Sequence, residues 1–173
     1  MKRNKTQKIA FSGVMSAVCV ALLYLGSVIE VLDYSASAFA GLVVTLVIVE
    51  FGDRAGIGVW LVSSVLSLIL LPVKSAALLF IVFCGWYSFA KRWLERLTPV
   101  LSWVLKLVLF NLCLAVIYLI TVKLLLIQDF TPLITASVIL LANGTFLIYD
   151  VLITRIIILY VRRLRPRLSF LKK

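Results

Sequence analysis

The polar side chains that could do chemistry are sparse in this chain, and most of them lie where apolar segments end. Glu30, Asp33 and Tyr34 share one link between two apolar segments, Lys74 lies in a second link, and Lys123 lies close to a third. A few convergent polar groups are enough to orient a small molecule in a binding site. The same residues could equally be solvated helix ends, and their types leave both interpretations open.

Two polar residues within apolar segments extend this candidate site. Tyr118 is placed to contact a ligand, or to form a hydrogen bond or an aromatic contact between helices. Asn143 is the second of them, and it lies in the last apolar segment. The candidate substrate-binding residues are therefore Glu30, Asp33, Tyr34, Lys74, Tyr118, Lys123 and Asn143.

Asp150 is a charged residue within the last apolar segment. It follows Asn143 by seven residues, which places both on one face of a helix, about 20° apart. A carboxylate inside a membrane should face protein and find a donor, and we expect Arg54 or Arg92 in that role. Asp150 either forms a structural ion pair near the interface or couples its helix to a partner or an ion step.

The residue patterns of catalysis are missing from the sequence. It has no histidine, no Walker or other glycine-rich phosphate loop, no nucleophile paired with a histidine base and no carboxylate pair within one apolar segment. The three cysteines lie inside apolar segments, as small packing residues do. We therefore predict no enzyme, no cofactor and no metal site, and any energy from ATP has to come from a separate subunit.

Composition determines the broad class. The chain has 173 residues, of which 64% are hydrophobic and 14% are charged, with a mean hydropathy of +1.17. A soluble domain is nearer half apolar and a quarter charged. The sequence therefore predicts an integral membrane protein with a single domain over residues 1–173. The net charge of +11 is better explained by membrane orientation and by anionic lipid at the cytoplasmic face than by nucleic acid.

Six apolar segments are close to the roughly 20 residues that a membrane-spanning helix needs. The predicted fold is all-α, a compact bundle of six transmembrane helices at about 9–29, 36–51, 55–71, 75–92, 103–127 and 133–164. A single span over 36–71 is the alternative to the second and third helices. It would place Asp53 and Arg54 near the bilayer centre, at a cost of about 2.5–3.5 kcal/mol for each charge. Two helices are therefore favoured.

The distribution of Lys and Arg predicts the orientation. With six spans, every Lys and Arg except Lys74 and Lys123 falls on the side of the membrane that holds both termini. Cytoplasmic segments carry the excess of positive charge in membrane proteins. We therefore expect a multi-pass protein of the cell membrane with both termini in the cytoplasm.

The first helix carries small residues at every fourth position. Gly13, Ala17 and Ala21 fall on one helical face, since four residues turn a helix by about 400°. Small residues let two helices approach closely inside a bilayer, where they drive association. This stripe either docks a partner protein or packs against the helices of the same chain.

With these features, the chain resembles the substrate-binding S component of energy-coupling factor importers. The resemblance rests on the basic start, six spans in a short chain and the stripe of Gly13, Ala17 and Ala21, which matches alanines four apart in that family. The segment 70–74 and the pair Tyr149 and Asp150 are similar to small bacterial membrane proteins associated with the same group.

The resemblance implies a mechanism. The stripe would pack against a transmembrane coupling subunit, which works with a pair of ATPases, and the substrate would bind under the link of Glu30, Asp33 and Tyr34. The S component would then topple in the membrane to release the substrate inside. Members of the family carry vitamins or transition metal ions. Because this chain lacks an N-terminal histidine, a vitamin-like organic solute is expected rather than a metal ion.

Two alternatives from other classes remain. The chain could be a small scaffold protein that binds other envelope proteins through the stripe and the basic tail, without transport activity. A lone secondary transporter is the other alternative, although the sequence shows no inverted repeat and few buried ionisable groups. A carrier needs a cavity open to the outside, whereas a scaffold can be packed solid.

Overall fold

The computed structural model describes the backbone of residues 5–124 and 132–164, with side chains at 6–29, 31–121 and 137–163. In this part of the chain every regular element is helical, which confirms the predicted all-α class. The helices are α1 (Lys5–Val28), α2 (Asp33–Phe51), α3 (Asp53–Leu70), α4 (Ser75–Leu94), α5 (Pro99–Leu124) and α6 (Pro132–Leu159).

Each of the six helices contains a stretch that is long and apolar enough to cross a membrane. The predicted number of candidate spans is therefore confirmed for the described residues. The positions of the helices also agree with the prediction to within a few residues at most ends. The side of the membrane on which the termini lie stays a prediction.

The helix ends follow from local chemistry. Gly52 separates α2 from α3 with φ +86° and ψ 176°, a conformation that is essentially restricted to glycine, so the two segments are not one long helix. Leu71 ends α3 in extended conformation, as expected before Pro72. The fifth helix begins earlier than predicted, at Pro99, because proline is favourable at a first helical position, where no N–H is needed.

Residues Phe80–Cys84 of α4 form a π-helical turn, and a second one, Tyr160–Leu164, continues α6. Neither turn was predicted. Insertions of this kind bulge a helix locally and are frequent near functional sites. The turn in α4 lies just before Gly85, where the indole of Trp60 from α3 approaches so closely that a Cβ atom at Gly85 would collide with it.

Two compact units can be distinguished, and each is described by itself. The first contains the described residues up to Ser88 and those from Leu152 onward, and the second contains those of Phe89–Val151. The predicted single domain stays a prediction.

In the first unit, α2 is the central helix. It packs against α1, α3 and the first half of α4, and it buries apolar residues around most of its circumference, as an all-round apolar helix does. Two of its buried hydroxyl groups are paired: the Ser37 hydroxyl donates to the carbonyl oxygen of Ala76 (2.8 Å), and Thr45 is hydrogen bonded to Ser88. At its other end, Tyr160 donates to Glu50 Oε1 (3.0 Å), which ties the end of α6 to α2.

Candidate functional site

The predicted stripe of α1 is not covered by α2 or α3, the helices of its own unit that pack against α1. Gly13, Ala17 and Ala21 are all exposed, and a Cβ atom added at Gly13 would meet nothing within 4 Å. The buried side of α1 is formed instead by Ser16, Cys19, Leu23, Gly26 and Ser27. The intramolecular contact of small residues is made by Gly26, where an added Cβ would collide with Ala36 of α2. The described part of this chain therefore leaves the stripe uncovered.

Asp33 is the predicted site residue that the structure buries. It lies in the first turn of α2 and is only 7% exposed. Its Oδ2 accepts a hydrogen bond from the hydroxyl of Ser75, the first residue of α4. The beginnings of α2 and α4 therefore meet at this carboxylate. The positive ends of the two helix dipoles stabilise a negative charge there.

The second carboxylate oxygen of Asp33, Oδ1, differs from Oδ2 in its hydrogen bonding. Oδ1 is buried and has no hydrogen-bond partner in the described part of the chain. Buried polar atoms are nearly always hydrogen bonded, and an unmade bond costs about 1–3 kcal/mol. The site thus presents one unused acceptor at the junction of two helices.

Lys74 lies beside this junction but is engaged elsewhere. Its ammonium group donates to the carbonyl oxygens of Leu68 (2.7 Å) and Leu71 (2.6 Å) at the end of α3. A cation at a helix C-terminus satisfies carbonyls that lack helical partners and complements the dipole. Lys74 therefore positions the α3–α4 link, and its positive charge has a structural role at the end of α3.

The remaining predicted site residues are placed as follows. Tyr34 is 70% exposed beside Asp33. The side chains of Glu30 and Lys123 lie outside the described residues. Tyr118 and Asn143 belong to the second unit and Asp33, Tyr34 and Lys74 to the first, so a single site of all seven residues stays a prediction.

In the second unit, Asn143 is paired with another amide. Asn111 Nδ2 donates to Asn143 Oδ1 (2.9 Å), and Asn143 Nδ2 donates back to Asn111 Oδ1 (3.1 Å). One turn further towards the end of α6, the rings of Phe110 and Phe146 stack at 4.5 Å. These contacts fasten α5 to α6 in antiparallel orientation. Reciprocal amide bonds of this kind join helices in apolar surroundings.

Asp150 continues the same stripe of α6 and forms the centre of a buried charge cluster. It is 3% exposed, as are Lys91 and Lys106. Lys91 is paired with Asp150 Oδ1 and also donates to the backbone oxygen of Asp150 (2.8 Å), and Lys106 donates to Oδ2 (3.0 Å). The expected shared face of Asn143 and Asp150 is thus confirmed, since both residues bind side chains of α5.

Glu95 completes the charge cluster of Lys91, Glu95, Lys106 and Asp150. Its Oε1 lies 3.2 Å from Lys91 Nζ and 3.1 Å from Lys106 Nζ, and the side chain is 45% exposed. Two positive charges therefore face two negative ones, and the ammonium of Lys106 also lies 5.2 Å from the ring centre of Trp103. Such a neutral, fully paired cluster holds three helical segments in register.

Sequence reasoning expected Arg54 or Arg92 as the donor to Asp150, whereas the donors that the structure shows are Lys91 and Lys106. Both lysines were interpreted only as positive charges near the cytoplasmic interface. Ser75 was also missed, although its position directly after Lys74 was a usable signal. No protein-family model matches this chain, and neither do any of the curated proteins or solved structures.

Proposed function

We propose that this chain is the solute-capture subunit of a small-molecule importer, similar to an S component, in the cell membrane with both termini cytoplasmic. A transmembrane coupling subunit and a pair of ATPases supply the energy. The observation that carries the proposal is the stripe of Gly13, Ala17 and Ala21, which the described residues leave uncovered although another face of the same helix is buried.

The physical argument concerns what small residues do in a bilayer. A helix face that only contacts lipid gains nothing from lacking side chains, because lipid tails solvate leucine equally well. A helix face that contacts another helix gains close van der Waals packing. The stripe extends over about 12 Å of α1, which is long enough for a helix–helix contact. Because the described helices of this chain leave it uncovered, the fitting occupant is a helix of a separate membrane protein.

The location of Asp33 is consistent with a solute site that is separate from the docking stripe. By the positive-inside rule, the ends of α1 and α2 that meet near Asp33 face the outside, where a solute enters. The stripe lies about 10–22 Å further along α1, towards the cytoplasmic side. Solute capture and docking would therefore use different parts of the same unit. Anionic lipid at the cytoplasmic face is expected to hold the basic segments there.

Replacing Ala17 and Ala21 with leucine tests the proposal, because the added side chains would hold a docked helix away from the stripe. We expect the wild-type chain to co-purify with a transmembrane subunit and two ATPase subunits in stoichiometric amounts, and the double variant to lose them. Quantitative mass spectrometry of complexes extracted in mild detergent measures this difference.

The matched control is Ala115→Leu, the same change at an exposed position of α5. It should leave the complex intact. Equal recovery of the ATPases with the Ala17→Leu/Ala21→Leu variant would contradict the docking role. Stoichiometric recovery of envelope proteins without any ATPase would instead favour the scaffold alternative.

A further inference from the structure

The unused carboxylate oxygen of Asp33 specifies the chemistry of what it binds. Oδ2 is already hydrogen bonded to Ser75, whereas Oδ1 is buried and has no partner in the described residues. An ionised carboxylate can only accept hydrogen bonds, through about two lone-pair directions on each oxygen. Whatever completes the site must therefore be a donor.

Two side-chain donors close to Asp33 already have other acceptors. The Ser37 hydroxyl, one turn along α2, lies 2.8 Å from the Ala76 carbonyl oxygen and 3.0 Å from the backbone oxygen of Asp33. The ammonium of Lys74 binds two carbonyls at the end of α3. Redirecting the Ser37 hydroxyl to Oδ1 would leave the buried carbonyl oxygen of Ala76 without this donor, at a similar cost. The ammonium of Lys74 has a third N–H group, but Oδ1 accepts no hydrogen bond from it.

We propose that the solute captured by this chain carries a protonated amine or a related N–H cation, which donates to Asp33 Oδ1. This assignment rests on the proposed function for its physiological meaning. A positive charge matches the carboxylate, and a charge-assisted hydrogen bond is roughly twice as strong as a neutral one. Anionic groups such as carboxylate or phosphate are disfavoured at this position, because they would face Asp33 with like charge and without a donor.

Access to Oδ1 requires local opening, since the atom is covered in this structure. The residues around it are helix ends and a short link, with the turn Glu30–Leu32 directly before Asp33. Helix ends and links are the parts of a fold whose local opening needs the least free energy. A small probe is therefore the appropriate reagent.

Methylammonium chloride is the test probe, with tetramethylammonium chloride and sodium chloride at equal concentration as references. Tetramethylammonium has the same charge but no N–H group. In the purified full-length chain, we expect methylammonium to raise the unfolding temperature by about 2–4 °C over both references once the site is saturated, since binding to the folded state alone stabilises it. Tryptophan fluorescence during heating measures the shift.

Asp33→Asn should abolish the difference between methylammonium and the references. Asp53→Asn removes an exposed acid at the turn between α2 and α3, at the far end of α2 from Asp33. This variant should preserve the difference between methylammonium and the references. Ser75→Ala leaves the carboxylate in place and frees Oδ2, so its shift should equal or exceed that of the wild type. This variant keeps the test decisive if Asp33→Asn fails to fold.

Equal shifts with methylammonium and tetramethylammonium in the wild type would overturn the proposal, as would a preserved difference in Asp33→Asn. The assay needs no partner protein. A failed amine response with an intact ATPase complex would therefore reject the amine assignment alone, whereas a specific amine response without any ATPase partner would reject the importer.

Discussion

Replacing Asp150 with asparagine is expected to lower the free energy of unfolding by about 3–5 kcal/mol. Among the described residues, the change leaves the buried ammonium groups of Lys91 and Lys106 with Glu95 as their remaining carboxylate partner, and Glu95 is half exposed. Removing one member of a buried ion pair is costly because the remaining charge stays desolvated. Equilibrium unfolding of the purified protein in mixed detergent micelles measures the difference.

Glu95→Gln is the matched control, because it neutralises the exposed acid of the same cluster. Glu95 is half exposed and Asp150 still pairs with both buried lysines in this variant, so it should lose clearly less stability than Asp150→Asn. Similar losses for both variants would show that the two acids are equally important and contradict the central position of Asp150. If neither variant were destabilised, the cluster would not be a structural element at all.

A triple variant separates structure from function in this charge cluster. Replacing Lys91 and Lys106 with methionine and Asp150 with leucine removes all three buried charges together. Buried ion pairs can often be exchanged for apolar residues of similar volume without loss of stability, so much of the loss caused by Asp150→Asn should be recovered. If this stable variant also retains the ATPase complex and solute uptake, the cluster is purely structural; loss of either would assign Asp150 a coupling role.

The second large effect is expected at Gly85. Changing Gly85 to alanine places a Cβ atom into the indole ring of Trp60 and against the carbonyl oxygen of Phe80. Overpacking of this kind costs about 1–3 kcal/mol. We expect a lower unfolding temperature in thermal unfolding experiments on the purified variant.

Gly58→Ala provides the comparison, since Gly58 is an exposed residue of α3 with nothing within 4 Å of an added Cβ. Alanine in a helix interior is favoured over glycine by about 0.5–1 kcal/mol, so this variant should be as stable as the wild type or slightly more stable. The close contact of Trp60 with Gly85 would be refuted if the two alanine variants unfolded at the same temperature.

Several features of the protein follow from the sequence because they depend on residues close together along the chain. Long apolar segments predicted six helices, and the charged turn at Asp53 and Arg54 separated the second from the third. The seven-residue spacing of Asn143 and Asp150 predicted a shared face, which the structure confirms. These are properties of helical geometry and of local hydrophobicity, which a linear pattern records directly.

Which polar side chains pair with each other was decided only by the tertiary structure. Asp150 and Lys91 are separated by 59 residues, and Asp33 and Ser75 by 42. Several basic residues and many hydroxyl groups were available to each acid, and no local pattern distinguishes among them. The same limit applied to the stripe of Gly13, Ala17 and Ala21, whose spacing was compatible with a contact inside or outside the protein.

The physical reason is that a side chain's partner depends on which helix faces meet and at what register. In α1, the fully buried Leu23 and the close approach of Gly26 to Ala36 define the packed side, which leaves the stripe exposed. In α5, Lys106 lies about two turns after the first residue, Pro99, where it reaches Asp150. The sequence by itself therefore determined the membrane class and the helices, whereas the packing of helix against helix decided which polar groups are satisfied and which, like Asp33 Oδ1, have no partner among the described residues.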